Sequence, residues 1–320
     1  MSTHRLDHEA PAIIAEGLCR LTDWGLMRAQ GAEAASFLHG QLTQDVQHLD
    51  AGRARLAGYC SAKGRLLATM VMWRRGADEL MLACSADLLP ATLKRLSMFV
   101  LRAKCKLSDA SAELPLWGAV GAAAQQVLDP ANSLSVWGQI SVDGADTVRL
   151  PDAVVGGRRL PRYLVAAAQA PALPTISEEQ WRWLEVHSGV VRVQAATLER
   201  FVPQMVNLEL VGGVNFQKGC YPGQEVVARS QYRGTLKRRA YVLTGAQALT
   251  PGQEIFSSLD PGQPAGMVAL AGTSDQGEHA ALAELKMAAL EGGTLHAGAA
   301  EGPLLLPGTL PYALPAAEAS

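Results

Sequence analysis

NFQKGCYPGQEVVARSQYRGTLKRR, residues 215–239, is the most informative stretch of this chain. Cys220 stands between Gly219 and Tyr221, with Lys218 just before it. Pro222-Gly223 is a turn signal, and the polar pair Gln224-Glu225 follows it. The flanking glycines allow tight turns and close approach by another molecule. A cation near a thiol favours the thiolate, the form that acts as nucleophile and metal ligand. On this ground Cys220 is expected on an accessible loop, with its pKa lowered by Lys218 and the arginines beyond. A buried structural cysteine in a strand-turn-helix corner is the competing reading, and the residues alone leave both open. From Lys218 to Arg239 the run holds six cations (Lys218, Arg229, Arg233, Lys237, Arg238 and Arg239) against one anion, Glu225. That patch reads equally as a contact surface or as a solvated strand edge.

The surroundings bound the class. At 320 residues the chain is long enough for two or three domains with a real core. Hydrophobic residues make up 48% and charged ones 18%, as in ordinary globular proteins. A net charge of −2 gives no global reason to expect nucleic-acid binding. The first residues carry Asp7 and Glu9 and no apolar core segment, unlike a signal peptide. No run reaches the roughly 18 apolar residues of a membrane span. Five widely spaced cysteines (19, 60, 84, 105 and 220) with no Cys-x-x-Cys pair point to a reducing cytoplasm and to no metal site.

Hydrophobic spacing outlines the elements. Phe37, Leu38, Leu42, Val46 and Leu49 recur as on one amphipathic helix. Leu66 to Trp73 and Leu80 to Cys84 read as strands, and Leu89, Leu93, Leu96 and Val100 return to helical spacing. A second such unit runs from about Leu116 to Glu199. It has a short helix over Ala122 to Leu128 and strands at Thr147 to Leu150 and Tyr163 to Ala167. A helix starts at Ser177, with Gln180 in capping-box spacing and Gly189 as a stop. Hairpins rather than regular β-α-β alternation give an α+β class. After Arg239, short apolar runs punctuated by Pro251-Gly252 and Pro261-Gly262 read as a small all-β domain. The alanines of Glu278 to Leu290 leave helix and strand open there.

The stretch Lys218 to Glu225 resembles the Lys-Gly-Cys-Tyr-x-Gly-Gln-Glu signature of the YgfZ family, folate-binding proteins related to the T-protein of the glycine cleavage system. The similarity continues through Phe201-Val-Pro-Gln204, Asn207-Leu208 and Gly212-Gly213-Val214. It is weaker over Trp24 to Val46 and Cys60 to Leu66. The resemblance implies two intertwined aminomethyltransferase-like α+β units over residues 1–235 and a C-terminal β-barrel over 236–320, with strand at Glu278 to Leu290. It implies tetrahydrofolate or a related folate in a hole between the domains. Its partners would be iron–sulfur enzymes or assembly factors, and through them tRNA modification. Membrane attachment and direct nucleic-acid contact are not expected.

By local pattern the folate tryptophans fall on Trp24 and Trp181, whose indoles can stack on a pterin. Arg229 or Arg233 would take the glutamate tail. Cys220 with Lys218 would be the functional thiol, and Cys60, beside the Ser61-to-Arg65 turn, the next most reactive cysteine. The aminomethyltransferase relatives carry an acidic pair at that turn, where this chain has Lys63 and Arg65. This favours an accessory protein over the alternative, a folate-dependent aminomethyl transferase with Cys220 structural.

Overall fold

Ten strands of the computed structural model, which describes residues 14–232 and 236–315, form two five-stranded sheets. The chain enters with β1 (Gly17–Arg20), then β2 (Trp24–Gln30), helix α1 (Ala34–His39), β3 (Ala54–Cys60), β4 (Leu66–Gly76) and β5 (Glu79–Ser85). Helix α2 (Leu89–Val100), β6 (Lys106–Asp109), β7 (Leu116–Val120), α3 (Ala122–Leu128), β8 (Gln139–Val142), β9 (Ala145–Val155) and β10 (Arg158–Ala166) follow. One sheet has the order β3-β4-β5-β2-β6 and the other β1-β7-β10-β9-β8. The two units are therefore interlocked. The chain starts in the second sheet, builds the whole of the first, and returns to pair β7 antiparallel with β1. Every pairing between named strands is antiparallel, which rules out a doubly wound parallel sheet.

Helix α4 (Glu178–Val186) comes next, and its start follows the sequence closely. Ser177 is the N-cap, its side chain accepting the Gln180 N–H at 2.9 Å. Helix α5 (Gln224–Tyr232) leads to β11 (Arg238–Gly245), β12 (Glu254–Ser257), β13 (Gly266–Thr273), β14 (His279–Lys286), β15 (Leu295–Ala297) and β16 (Leu304–Pro307), which close into a barrel. Full closure leaves no open sheet edge. The Glu278-to-Leu290 segment is strand to Lys286 and then one 3-10 turn. A single hydrophobic core runs from both sheets through α4 into the barrel wall at Ala240, Val242, Leu270 and Leu282. The barrel has its own smaller core around Ile255, Val268 and Leu285.

One expectation is corrected. The helix expected from Phe37 to Leu49 ends at His39. Leu42, Val46 and Leu49 are still buried, but Leu42 bridges to Tyr59, and the Thr43 hydroxyl donates to Gly213 O and accepts from Gly58 N. The spacing recorded burial, and strand and loop partners took the backbone bonds a helix would have used. The basic run divides between helix α5, which carries Arg229, and strand β11, where Arg238 pairs with Glu284 and Arg239 with Glu209.

Candidate functional site: a cavity between the sheets and an exposed thiol

Between the two sheets lies a narrow cavity of about 30 Å³. Trp24, Leu56 and Met70 reach it from the first sheet, Leu150 and Arg162 from the second, and Glu185 and Arg192 from α4 and the segment after it. Arg192 is buried and fully engaged. Its Nε and Nη2 donate to Glu185 at 3.0 and 3.1 Å, Nη2 also to Asp23 at 2.7 Å, and Nη1 to Ser85 Oγ and Asp23 O at 3.1 Å. Burial works against Asp23 ionisation, but Arg192 and Arg182 outweigh it and hold its pKa below the ordinary value. The same guanidinium lies 4.8 Å from the centre of the Trp24 ring, and the Trp24 indole N–H has no hydrogen-bond partner among the described residues.

Arg162 is the opposite case. It is 2% exposed, and among the described residues it makes no ion pair and its Nε has no partner. Burial pulls its pKa down to about 10. Its guanidinium sits 4.4 Å from the centre of the Trp181 ring. Trp181 is 0% exposed and presses on β7 at Gly118, where a Cβ would come within 2.6 Å of the indole. Trp24 therefore lines the cavity, whereas Trp181 does not and instead supports Arg162.

The signature loop is built differently from its sequence reading. Cys220 is exposed, but Lys218 is buried. The Lys218 ammonium donates to Leu42 O at 2.9 Å and to His39 O, and lies 4.8 Å from the Tyr221 ring centre. Burial lowers its pKa to about 8, with Asp45 and a Cys220 thiolate pulling the other way. Asn215 Oδ1 accepts the N–H groups of Gln217 and Lys218 at 2.8 and 3.1 Å and turns the chain toward Cys220. Gly223 has φ +78°, and a Cβ there would lie 2.4 Å from Ser61 O and 2.6 Å from Gly64 Cα. The glycine thus lets the loop seat on the Ser61-to-Arg65 turn. Lys63 and Arg65 of that turn face a separate cleft, with Arg200, Arg238 and Glu284, and not the cavity.

Cys220 alone of the five cysteines is exposed. Cys19, Cys60 and Cys84 are buried, and burial pushes each thiol up to about 12. Cys60 as the second reactive thiol is thus corrected: it ends β3 inside the core, and Cys105, half-buried, takes that place. Arg229 is exposed on α5 and does not line the cavity, and Arg233 lies outside the described residues. Sequence reading missed Arg162, Arg192, Glu185 and Asp23. A signal existed for two of them. Arg162 and Arg192 interrupt apolar runs, in LPRYLV and VVRV, where a charge is buried only with a reason.

Interlocked antiparallel sheets, a closed barrel and a cavity between them define an aminomethyltransferase-type fold. The glycine cleavage system aminomethyltransferase T from Bartonella henselae superposes with a TM-score of 0.69 at 17% identity, over 92% of this chain and 85% of that one. The chain belongs to the YgfZ family. It is 34% identical to the tRNA-modifying protein YgfZ of Edwardsiella ictaluri over 260 residues, 73% of this chain and 72% of that one. It is 30% identical to the protein of the same name from Serratia proteamaculans over 249 residues, 73% of this chain and 72% of that one. No family model matches the sequence.

Proposed function

We propose that this protein is a folate-binding accessory factor in tRNA modification, acting through iron–sulfur enzymes whose clusters it helps to assemble or repair. Tetrahydrofolate would bind between the sheets against Trp24, widening the narrow cavity there, with Trp181 acting through Arg162. Arg229 or Arg233 would meet the glutamate tail outside. One observation carries the choice of binding over aminomethyl transfer. Glu185 is the cavity's carboxylate, and it is already held by two bonds from Arg192. Two donors of residues at its wall, Trp24 Nε1 and Arg162 Nε, are buried and without a partner among the described residues. Such a site leaves no free acid to handle a folate nitrogen.

The exposure of Cys220 supports a working thiol over a packing one. A cluster normally takes four thiolates, so a single one makes reversible contact with sulfur, iron or a partner thiol and does not hold a cluster. No described helix is long and apolar enough to cross a membrane, and the proposed work belongs in the cytoplasm. The test is a strain lacking this protein, with modified nucleosides in its tRNA measured by mass spectrometry. Cys220→Ser is expected to bind tetrahydrofolate like wild type but fail to restore modification. Full restoration by that variant would remove the thiol from the proposal.

A further inference from the structure

His39 is the last residue of helix α1, and its ring faces the signature loop. A Cβ at Gly219 would lie 3.6 Å from His39 Nε2, and Gly219 is the residue before Cys220. Consecutive Cα atoms are about 3.8 Å apart, so the thiol and this ring nitrogen share one small patch. Lys218 ties the loop to the same helix end. Its ammonium donates to His39 O and feels the charge of a Cys220 thiolate.

The other ring nitrogen is engaged. His39 Nδ1 lies 3.1 Å from Asp45 Oδ1, and His48 Nδ1 lies 2.8 Å from Asp45 Oδ2. Burial works against Asp45 ionisation, but the bonds from His48 outweigh it and hold its pKa at about 2. An ionised carboxylate can only accept, so neutral His39 carries its proton on Nδ1 and keeps a lone pair on Nε2. Nε2 has no hydrogen-bond partner among the described residues. Burial, then the Lys218 charge, lower the His39 pKa against the pull of Asp45, so the ring is neutral at pH 7. The loop that carries Asp45 is itself fixed. Asp45 N donates to Gln44 Oε1 at 3.0 Å, and Arg55 of β3 donates to Asp45 O and, at 2.8 Å, to His48 O.

We propose that Cys220, His39 and Asp45 form one thiol-exchange centre, with His39 as the base and Asp45 as the residue that positions it. This rests on the reading of Cys220 as a working thiol and supplies its chemistry. The Cys220 proton passes from Sγ to His39 Nε2, and the S–H electron pair stays on sulfur. The thiolate attacks one sulfur of a disulfide presented by a partner. A new S–S bond forms as the old one breaks. Cys220 is oxidised to a mixed disulfide, and the departing sulfur is reduced to a thiol, taking the proton back from His39. Lys218 steadies the thiolate through its charge.

The test follows exchange of the full-length protein with hydroxyethyl disulfide, reading the mixed disulfide at Cys220 by mass spectrometry at pH 7 and pH 9.5. His39→Gln keeps a donor for Asp45 but cannot take a proton. It is expected to slow exchange about tenfold at pH 7 and to match wild type at pH 9.5, where a thiol ionises without a base. Asp45→Asn, whose amide donates to Nδ1 and moves the ring proton to Nε2, should also be slow at pH 7. The charged groups around His39 are Asp45 and His48 from the loop after α1, Lys218 from the signature loop and, through Asp45 O, Arg55. All remain in His39→Gln, so the contrast between the two pH values reports the imidazole. Equal rates at pH 7 in wild type and both variants overturn the inference and leave Cys220 a working thiol. So does a change of the same size at both pH values, which marks a structural role for His39. If Cys220 of wild type forms no mixed disulfide at either pH, the working-thiol reading itself fails and this inference falls with it.

Discussion

Lys218 and Cys220 are two residues apart and do different work. The lysine supplies protons to the carbonyls of His39 and Leu42 at the end of α1, which would otherwise be buried acceptors without partners. Lys218→Ala is expected to destabilise the fold by about 1–3 kcal/mol in urea melts, since it strips both acceptors at once. An unchanged midpoint would contradict that role. The thiol, by contrast, touches solvent. Limited alkylation with mass spectrometry should label Cys220 first, Cys105 next, and Cys19, Cys60 and Cys84 only on unfolding. Slow labelling at Cys220 would return it to a packing role.

His187 gives a pH signature. Burial lowers its pKa from 6.5 to about 4. Between those values the unfolded chain binds a proton that the folded one refuses, so stability falls as pH drops from 6.5 toward 4. The slope from this one group is at most about 1.4 kcal/mol per pH unit. His187→Phe, keeping a ring against Trp183, should flatten the acid side of the stability curve. An unaltered slope would show that other groups set it.

At the scale of elements, local chemistry wrote some boundaries openly and tertiary contacts hid others. Ser177 with Gln180 fixed the start of α4, and the same serine also donates to Asp275 at 2.5 Å. Ser177→Ala should therefore cost about 1 kcal/mol in thermal or chemical melts. The short helix α3 and the strands β4 and β5 lie where their apolar runs put them. The stretch after α1 was misread, because Leu42, Val46 and Leu49 are buried by neighbours distant in sequence. Helix α5 was hidden by its charges: only Val227 is buried, so no apolar stripe marks it. The loop between was legible as a turn, but not the direction of Lys218, which depends on carbonyls 176 and 179 residues away.

Across the whole molecule, the interlocking of the sheets and the docking of the barrel make one cooperative body. Helix α4 lies so close to β13 that a Cβ at Gly272 would come 2.2 Å from Trp183 N. Arg239 of β11 is buried in an ion pair with Glu209 and also donates to Gln204 O at 3.1 Å. We propose a division near residue 235 into a folate-binding region and a barrel, but one whose parts unfold together. Calorimetry should give a single transition, and Gly272→Val should lower it markedly. Two separate transitions would break this picture. The α+β class and the all-β C-terminal third were legible in the alternation of spacing. The cavity was not, since its walls come from β2, β3, β4, β9, β10, α4 and the segment after it, and no window of sequence brings those together. The most direct test of the central claim is a tetrahydrofolate titration followed by tryptophan fluorescence, on wild type and Trp24→Ala. Saturable quenching in wild type, with affinity reduced about tenfold or more in the variant, is the expected result. Equal affinity in both proteins, or no binding to wild type, would contradict a folate site between the sheets.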